Sequence, residues 1–297
     1  MNTERVKNVL IVLLSVIALS LASLIFITED RYVMSAAQEA AIVAILERDD
    51  IHFRGEIVRD FRPLRQMEMR RYDYDLEGLA ARFFGDENFT KETDDLFYNF
   101  THEGHDDGKG MTYLSRSNTI TFEIPRGISN EAFESMLNDR AAEVLATQYI
   151  ESLMGMPPNM RHYSTTISYQ GNWVVNFFTV YRGFILQNDH IRAYVTQDGI
   201  TEIYYSRVNY GSFAGDPRGI FPPNEALLTL ANHIRGLDRE STIIINDMRL
   251  SYFLTEERGQ SVGIPAYVFA VYMGGMLRFN YVFNAYTNEL LHLETSR

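Results

Sequence analysis

The chain has no cysteine, and this absence removes several kinds of protein chemistry at once. Disulfide bonds, cysteine-ligated zinc and thiol nucleophiles all require that residue. An acylated lipoprotein anchor is excluded for the same reason, because the lipid would be attached to a cysteine. If the protein is exported, packing alone must hold its core.

Positive charge is also scarce. The chain carries 27 lysines and arginines against 39 aspartates and glutamates, which gives a formal net charge of −12. A strongly acidic protein repels the phosphate backbone of nucleic acids, and the sequence has no basic cluster that would compensate. We therefore expect no nucleic-acid partner.

Catalytic motifs are missing as well. The sequence has no Walker loop and no dinucleotide-binding fingerprint. Asp94 and Asp95 are adjacent, so on a strand they would point to opposite faces and could not form a glycosidase pair. The sequence predicts a protein that is not an enzyme and needs no cofactor.

The segment His102–Gly108, with the sequence HEGHDDG, is the sharpest candidate for a cation site. Its two histidines are three residues apart, whereas a zincin helix has them four apart, and Gly104 and Gly108 make a helix improbable. We interpret it as a solvated hairpin loop without a physiological metal, with a bound cation as the alternative. His162, His190, His233 and His292 are isolated in the sequence, and Trp173 is predicted to be a core residue and not a sugar-stacking platform.

One long apolar run is present. Residues Val9–Ile27 contain no charged side chain, and at about 1.5 Å per residue a helix of this length approaches the roughly 30 Å of a bilayer core. Arg5 and Lys7 precede it, which predicts a cytoplasmic tail over residues 1–8, a transmembrane helix over 9–27 and an extracytoplasmic remainder. A signal peptide cleaved near Ser20–Ala22 is the rival interpretation, although the run is longer than usual for one.

Within this run Ser15, Ala18 and Ala22 are spaced three and four residues apart, so they share one face of the predicted helix. Stripes of small residues let a second membrane helix approach closely. We take these three residues as the candidate partner-binding site, with ordinary membrane-span composition as the alternative.

The remainder of the chain alternates helical and strand patterns. A first α+β subdomain is predicted over residues 28–125, with a short helix over Leu76–Phe84 that ends at Gly85. A long helical pattern with Ser129 as its candidate N-cap then opens a unit of helix plus antiparallel meander over 126–212, and a similar unit follows over 213–297. The predicted fold class is α+β, with a transmembrane helix followed by tandem helix-plus-meander units.

Two segments carry a resemblance to a known family. Phe178–Ser206 (FTVYRGFILQNDHIRAYVTQDGITEIYYS) resembles the YycI regulatory proteins of Gram-positive bacteria and the related YycH proteins. Phe279–Glu294 (FNYVFNAYTNELLHLE) resembles the final hairpin of PepSY-type domains, with Asn288 in place of the usual turn glycine.

The resemblance implies a single-pass membrane protein that binds and modulates a WalK-type (YycG) sensor histidine kinase of cell-wall homeostasis. It implies a YycH-like protein as a second partner, with contacts through the membrane helix and the ectodomain. It supplies no catalytic residues. The alternative is a PepSY-like binding module that restrains a secreted peptidase or captures a cell-wall component.

Overall fold

The structure is a computed structural model that describes residue 11 and residues 13–18, 30–85, 89–102, 108–128, 138–168, 170–235, 242–257, 259–274 and 277–296. Beyond the short helical segment 13–18 and a 3-10 turn at Asp30–Tyr32, it contains helices α1 (Ala36–Arg48), α2 (Leu76–Phe84), α3 (Asp139–Met154) and α4 (Pro223–Ile234). The first strands are β1 (Ile51–Phe53), β2 (Leu64–Arg71), β3 (Phe89–Thr93), β4 (Phe97–His102), β5 (Gly110–Leu114), β6 (Thr119–Ile128), β7 (Met160–Ile167) and β8 (Trp173–Tyr181). The remaining strands are β9 (Phe184–Thr196), β10 (Gly199–Ser206), β11 (Val208–Arg218), β12 (Ile243–Glu257), β13 (Gln260–Met273), β14 (Leu277–Asn284) and β15 (Leu290–Ser296).

Capping side chains set where the helices begin. Ser35 and Gln38 form a capping box at the start of α1, so two backbone N–H groups that would lack partners are satisfied. Asn138 accepts the Ala141 N–H at the start of α3. This helix therefore begins later than the predicted N-cap Ser129, which lies outside the described residues. The predicted helix Leu76–Phe84 is confirmed with its stop at Gly85, which adopts φ 80°.

The strands form one continuous, branched sheet in two halves. In the first half the order is β3-β4-β5-β6-β10-β9-β8-β7, and all neighbours are antiparallel. In the second half the order is β1-β12-β13-β14-β15, in which β1 alone runs parallel to its neighbour. A short parallel contact between β9 and β12 joins the halves, and the β2–β11 pair attaches to β13.

Helices cover one face of each half and create two separate cores. Helices α2 and α3 pack on the first half over buried rings such as Phe100, Phe122 and Phe177. Helices α1 and α4 pack on the second half over Phe269 and Phe283. Each fully buried side chain of this size contributes about 1.5–3 kcal/mol, so the two cores account for much of the stability. Trp173 is partly buried against the first core, as predicted.

The structure confirms the α+β class, with far more sheet than helix. No helix within the described residues is long and apolar enough to cross a membrane. Most of the predicted span Val9–Ile27 lies outside those residues, so the transmembrane helix stays a prediction. Strand β11 crosses the predicted boundary between residues 212 and 213, and β6 pairs with β10 across the boundary at 125. The division into units at residues 28–125, 126–212 and 213–297 therefore stays a prediction.

Candidate functional site

The helix-free faces of the two halves enclose a groove of about 1050 Å³. The alternation of side chains along each strand determines which residues line the groove, because successive residues of a strand point to opposite faces. In β9, Ile191 and Ala193 enter the first core, whereas His190 and Arg192 line the groove. In β14, Tyr281 enters the second core, whereas its neighbours Asn280 and Val282 line the groove. The groove is also lined by Tyr194, Tyr204, Ser206, Arg207, Phe253, Leu254, Asn280, Val282, His292 and Glu294, among others.

A smaller recess of about 20 Å³ adjoins the groove where the two halves meet. The recess and the groove share Gln187, His190, Arg192, Asn280 and Glu294. The recess adds Tyr163, Ser164, Asn176, Phe178, Arg249 and Arg278.

Arg192 is the central cation of the seam between the halves. Its Nη1 atom lies 2.8 Å from Glu294 Oε1, and its Nε donates to Asn176 Oδ1 at 3.1 Å. Asn280 Nδ2 donates to the other Glu294 oxygen at 3.1 Å. Burial alone would raise the pKa of the Glu294 carboxyl, but the Arg192 guanidinium outweighs burial and holds this pKa at about 2. The pair therefore stays charged and joins β9 to β15.

Arg249 and Arg278 bring two further cations to the recess. Arg249 Nη1 lies 2.8 Å from Asp247 Oδ2 and donates to the Tyr163 hydroxyl at 3.0 Å. Arg278 is half-buried, and among the described residues it has no ion pair and no hydrogen-bond acceptor. Burial lowers the pKa of Arg278, and the neighbouring guanidinium groups of Arg192 and Arg249 lower it further.

A buried ion pair lies beneath the groove. Asp189 is fully buried, and its Oδ1 atom lies 2.7 Å from Arg207 Nε. Burial raises the pKa of the Asp189 carboxyl to about 6, although Arg207 opposes the rise. The Arg207 guanidinium also lies 5.3 Å from the centre of the Tyr72 ring, so this side chain is held from two sides.

The acid–base groups of the groove are engaged in structural contacts. His190 Nδ1 lies 2.9 Å from the Gln187 carbonyl, and burial together with Arg192 lowers the pKa of His190 to about 4, so the ring is neutral and donates this bond. Ser206 Oγ donates to the Asn188 carbonyl at 3.0 Å, and His292 stacks on Phe253. In the part of the chain that the structure describes, no hydroxyl is hydrogen-bonded to either groove histidine.

A contact chain of Glu143, His162 and Thr165 has the order of an acid, a base and a hydroxyl. His162 Nε2 lies 2.9 Å from Thr165 Oγ1, and its Nδ1 lies 3.5 Å from Glu143 Oε1. Neither the groove nor the recess includes these side chains, because His162 packs beside helix α3. These contacts link α3 to β7, and they lie outside both the groove and the recess.

The residues predicted from sequence fall mostly elsewhere. Ser15 and Ala18 are exposed on the helical segment 13–18, where Ser15 Oγ donates to the Ile11 carbonyl at 2.9 Å, and Ala22 lies outside the described residues. Of the loop His102–Gly108 the structure describes the two end residues, and the candidate cation ligands between them lie outside the described residues. The isolated histidines divide between the groove (His190 and His292) and other packing sites.

Sequence reasoning missed the groove itself. The polar positions 190 and 192 alternate with core residues in β9, and this alternation was the available signal for a solvent-facing surface. It does not reveal that Arg249, Arg278 and Glu294, from three distant strands, meet Arg192 there. Their convergence depends on how the two halves join, which single-strand patterns do not encode.

Comparisons with known proteins give one clear structural relation. No family model matches the chain, and no curated protein does. The fold is similar to that of an uncharacterized protein from Eubacterium rectale ATCC 33656, with a TM-score of 0.51 and 12% identity over 83% of this chain and 92% of that one.

Two weaker structural similarities are to proteins of Bacillus. The C-terminal domain of Bacillus megaterium YpeB gives a TM-score of 0.36 at 11% identity over 77% of this chain and 99% of that domain. YycH from Bacillus subtilis gives 0.42 at 10% identity over 78% of this chain and 55% of that protein. At 12% identity, the similarity to the Eubacterium rectale protein shows a shared fold.

Proposed function

We propose that the chain is a membrane-anchored extracytoplasmic regulatory protein that binds and modulates a sensor histidine kinase of the WalK (YycG) type. The observation that carries the binding role is the groove between the helix-free faces of the sheet. A cavity of about 1050 Å³ is at the upper end of the range for ligand sites, and its acid–base groups Glu294 and His190 are held in structural contacts.

Binding is favoured over catalysis by the state of those groups. A general base must reach the proton that it removes and must have a pKa near the working pH. Glu294 is bound by Arg192, and the His190 proton is donated to a backbone carbonyl. The groove therefore offers a shaped, charged surface without an activated nucleophile.

The membrane anchor and the identity of the partner are supported by the sequence. The uncharged run Val9–Ile27 follows two basic residues, which suits a single span with its N-terminus in the cytoplasm. The resemblance of Phe178–Ser206 to the YycI and YycH proteins supports a kinase and a YycH-like protein as partners.

The test is copurification from membranes of the native host. Replacing Ala18 and Ala22 by Leu keeps the span apolar but holds a neighbouring helix away from the stripe, so close packing is lost. We expect the double variant to reach the membrane at the normal level and to recover less kinase after crosslinking. The matched control replaces Ser20 and Ser23 by Leu on a different face of the helix and should recover the wild-type amount.

The outcomes separate the alternatives. Undiminished kinase recovery with the stripe variant would assign the contact to the ectodomain. Absence of any kinase from the wild-type sample, with a secreted peptidase in its place, would replace this proposal with the PepSY-like inhibitor.

A further inference from the structure

The groove is positively charged although the protein is acidic. Among the described residues, the groove and its recess are lined by two glutamates, no aspartate and no lysine. They are lined by six arginines, namely Arg71, Arg116, Arg192, Arg207, Arg249 and Arg278. Four of these pair with Glu256, Glu294, Asp189 and Asp247, so the excess positive charge lies on Arg116 and Arg278. The whole chain has a net charge of −12. A cleft whose sign opposes that of the protein concentrates ligands of the opposite charge, because low-dielectric walls focus the field.

The recess has unused hydrogen-bonding capacity. Arg249 Nε, Arg278 Nε, Gln187 Oε1 and Asn280 Oδ1 are buried side-chain atoms without a hydrogen-bond partner in the described structure. Leaving such atoms unpaired costs about 1–3 kcal/mol each. Among the described residues Arg278 has no carboxylate within ion-pair distance, whereas Arg192 and Arg249 each have one. An incoming anionic oxygen would therefore gain most at Arg278.

The walls of the groove are apolar as well as charged. Leu96, Leu114, Phe253 and Leu254, which are exposed or half-buried, line it beside the arginines. A phosphate polymer would leave these surfaces without a partner. A peptide that alternates acidic and apolar side chains in an extended conformation matches both, because successive side chains of a strand point to opposite faces.

We propose that the groove binds an extended acidic peptide segment of a partner protein. One carboxylate oxygen of the segment enters the recess beside Arg278, and apolar side chains of the segment pack on Phe253 and Leu254. This inference rests on the proposed binding role of the groove, but it does not depend on the partner being a kinase.

The probes are three fluorescein-labelled octapeptides, in which valine alternates with glutamate, glutamine or lysine. Their binding to the purified full-length protein in detergent is measured by fluorescence anisotropy. We expect the glutamate peptide to bind at least tenfold more tightly than the glutamine peptide. The lysine peptide should not bind, and added salt should weaken the glutamate complex. Equal affinity of the glutamate and glutamine peptides overturns the inference.

Variants of Arg278 test where the carboxylate of the glutamate peptide binds. Arg278→Gln should weaken binding of the glutamate peptide about tenfold, as expected for loss of a charge-assisted hydrogen bond. Arg278→Lys should recover part of the loss, because it keeps the charge without the planar fork. The matched control is Arg140→Gln, an exposed arginine on α3 on the opposite side of the sheet.

If the Arg278→Gln variant unfolds at a much lower temperature than the wild type, the peptide affinity of the Arg278→Lys variant alone is the test. Unchanged peptide affinity in a folded Arg278 variant overturns the placement of the peptide carboxylate beside Arg278. Displacement of the peptide by inorganic polyphosphate at much lower concentration than by unlabelled glutamate peptide overturns it in favour of a phosphate polymer.

The same variants distinguish this inference from the proposed function. Loss of peptide binding by Arg278→Gln with full kinase copurification leaves the kinase role standing and assigns the groove another partner. Tight peptide binding by a wild-type protein that recovers no kinase supports the groove and overturns the kinase role.

Discussion

At the scale of single residues, the protein places three acid–base groups with shifted pKa values in one seam between the two halves of the sheet. Arg192 holds Glu294 ionised, burial raises the pKa of Asp189 to about 6, and burial lowers the pKa of His190 to about 4. The Arg192–Glu294 contact joins the two halves, so the groove and the seam between the halves share these two residues.

His190 gives this seam a measurable pH dependence. Its pKa is about 4 in the folded protein and about 6.5 in the unfolded chain. The unfolded state therefore takes up a proton first, and the stabilisation that is full above pH 6.5 is lost as the pH falls toward 4. We expect the His190→Gln variant to lose about 1–2 kcal/mol less than the wild type in urea unfolding between pH 7 and pH 5.

The comparison must be between variants, because Asp189 titrates in an overlapping window with the opposite sign. Its raised pKa makes the folded state bind the proton first, so its contribution grows as the pH falls from about 6 to about 4. The control is Asn232→Gln, at an exposed uncharged position on α4 outside the groove, which should keep the wild-type profile. Identical pH profiles for wild type and His190→Gln would contradict the assignment.

At the scale of elements, the short parallel strand β1 depends on close backbone packing beside β12. The Arg54 N–H donates to the Ile245 carbonyl at 2.9 Å, which fixes the chain just before Gly55. A Cβ atom at Gly55 would lie 2.8 Å from the Asn246 carbonyl oxygen, next to an irregularity in the β12–β13 register. Glycine is thus required at position 55 because the two backbones approach closely, and not because it allows unusual backbone dihedral angles.

We expect Gly55→Ala to destabilise the protein by about 1–3 kcal/mol, because the clash is with backbone that cannot rotate away. The matched control is Gly219→Ala, where the added Cβ has no heavy atom within 4 Å. This control should stay within about 0.5 kcal/mol of the wild type. Chemical denaturation of both variants is the measurement, and equal midpoints would show that β1 yields easily.

Most elements could be predicted from local pattern, whereas their assembly could not. Leu76–Phe84 shows a clear helical stripe and a glycine stop, and the strands around Asp198–Gly199 follow a strong hairpin signal. Strand β11 was missed because Gly211 and Gly215 interrupt its pattern, and its pairing with β2 is irregular at two places. The groove was missed because its arginines meet only after β9 and β12 pair.

At the scale of the whole molecule, the chain is asymmetric in charge and in hydropathy. All but three of its acidic residues follow residue 30, and its longest uncharged run precedes that point. The acidic bulk is repelled by anionic headgroups, so an anchored domain of this kind would stand away from the membrane surface. The positive groove then remains accessible to a partner's acidic segment.

This arrangement predicts an uncleaved protein with its N-terminus in the cytoplasm. The uncharged run Val9–Ile27 is longer than the apolar region of most signal peptides, and Arg5 and Lys7 flank its N-terminal side. Protease added to intact protoplasts should digest the bulk of the chain and leave a short membrane-protected N-terminal fragment. A tag placed before Met1 should survive in that fragment, whereas a C-terminal tag should be lost. A mature N-terminus near Ser23 would instead show cleavage, and a protease-resistant C-terminal tag would show that the groove faces the cytoplasm, where no extracytoplasmic partner could reach it.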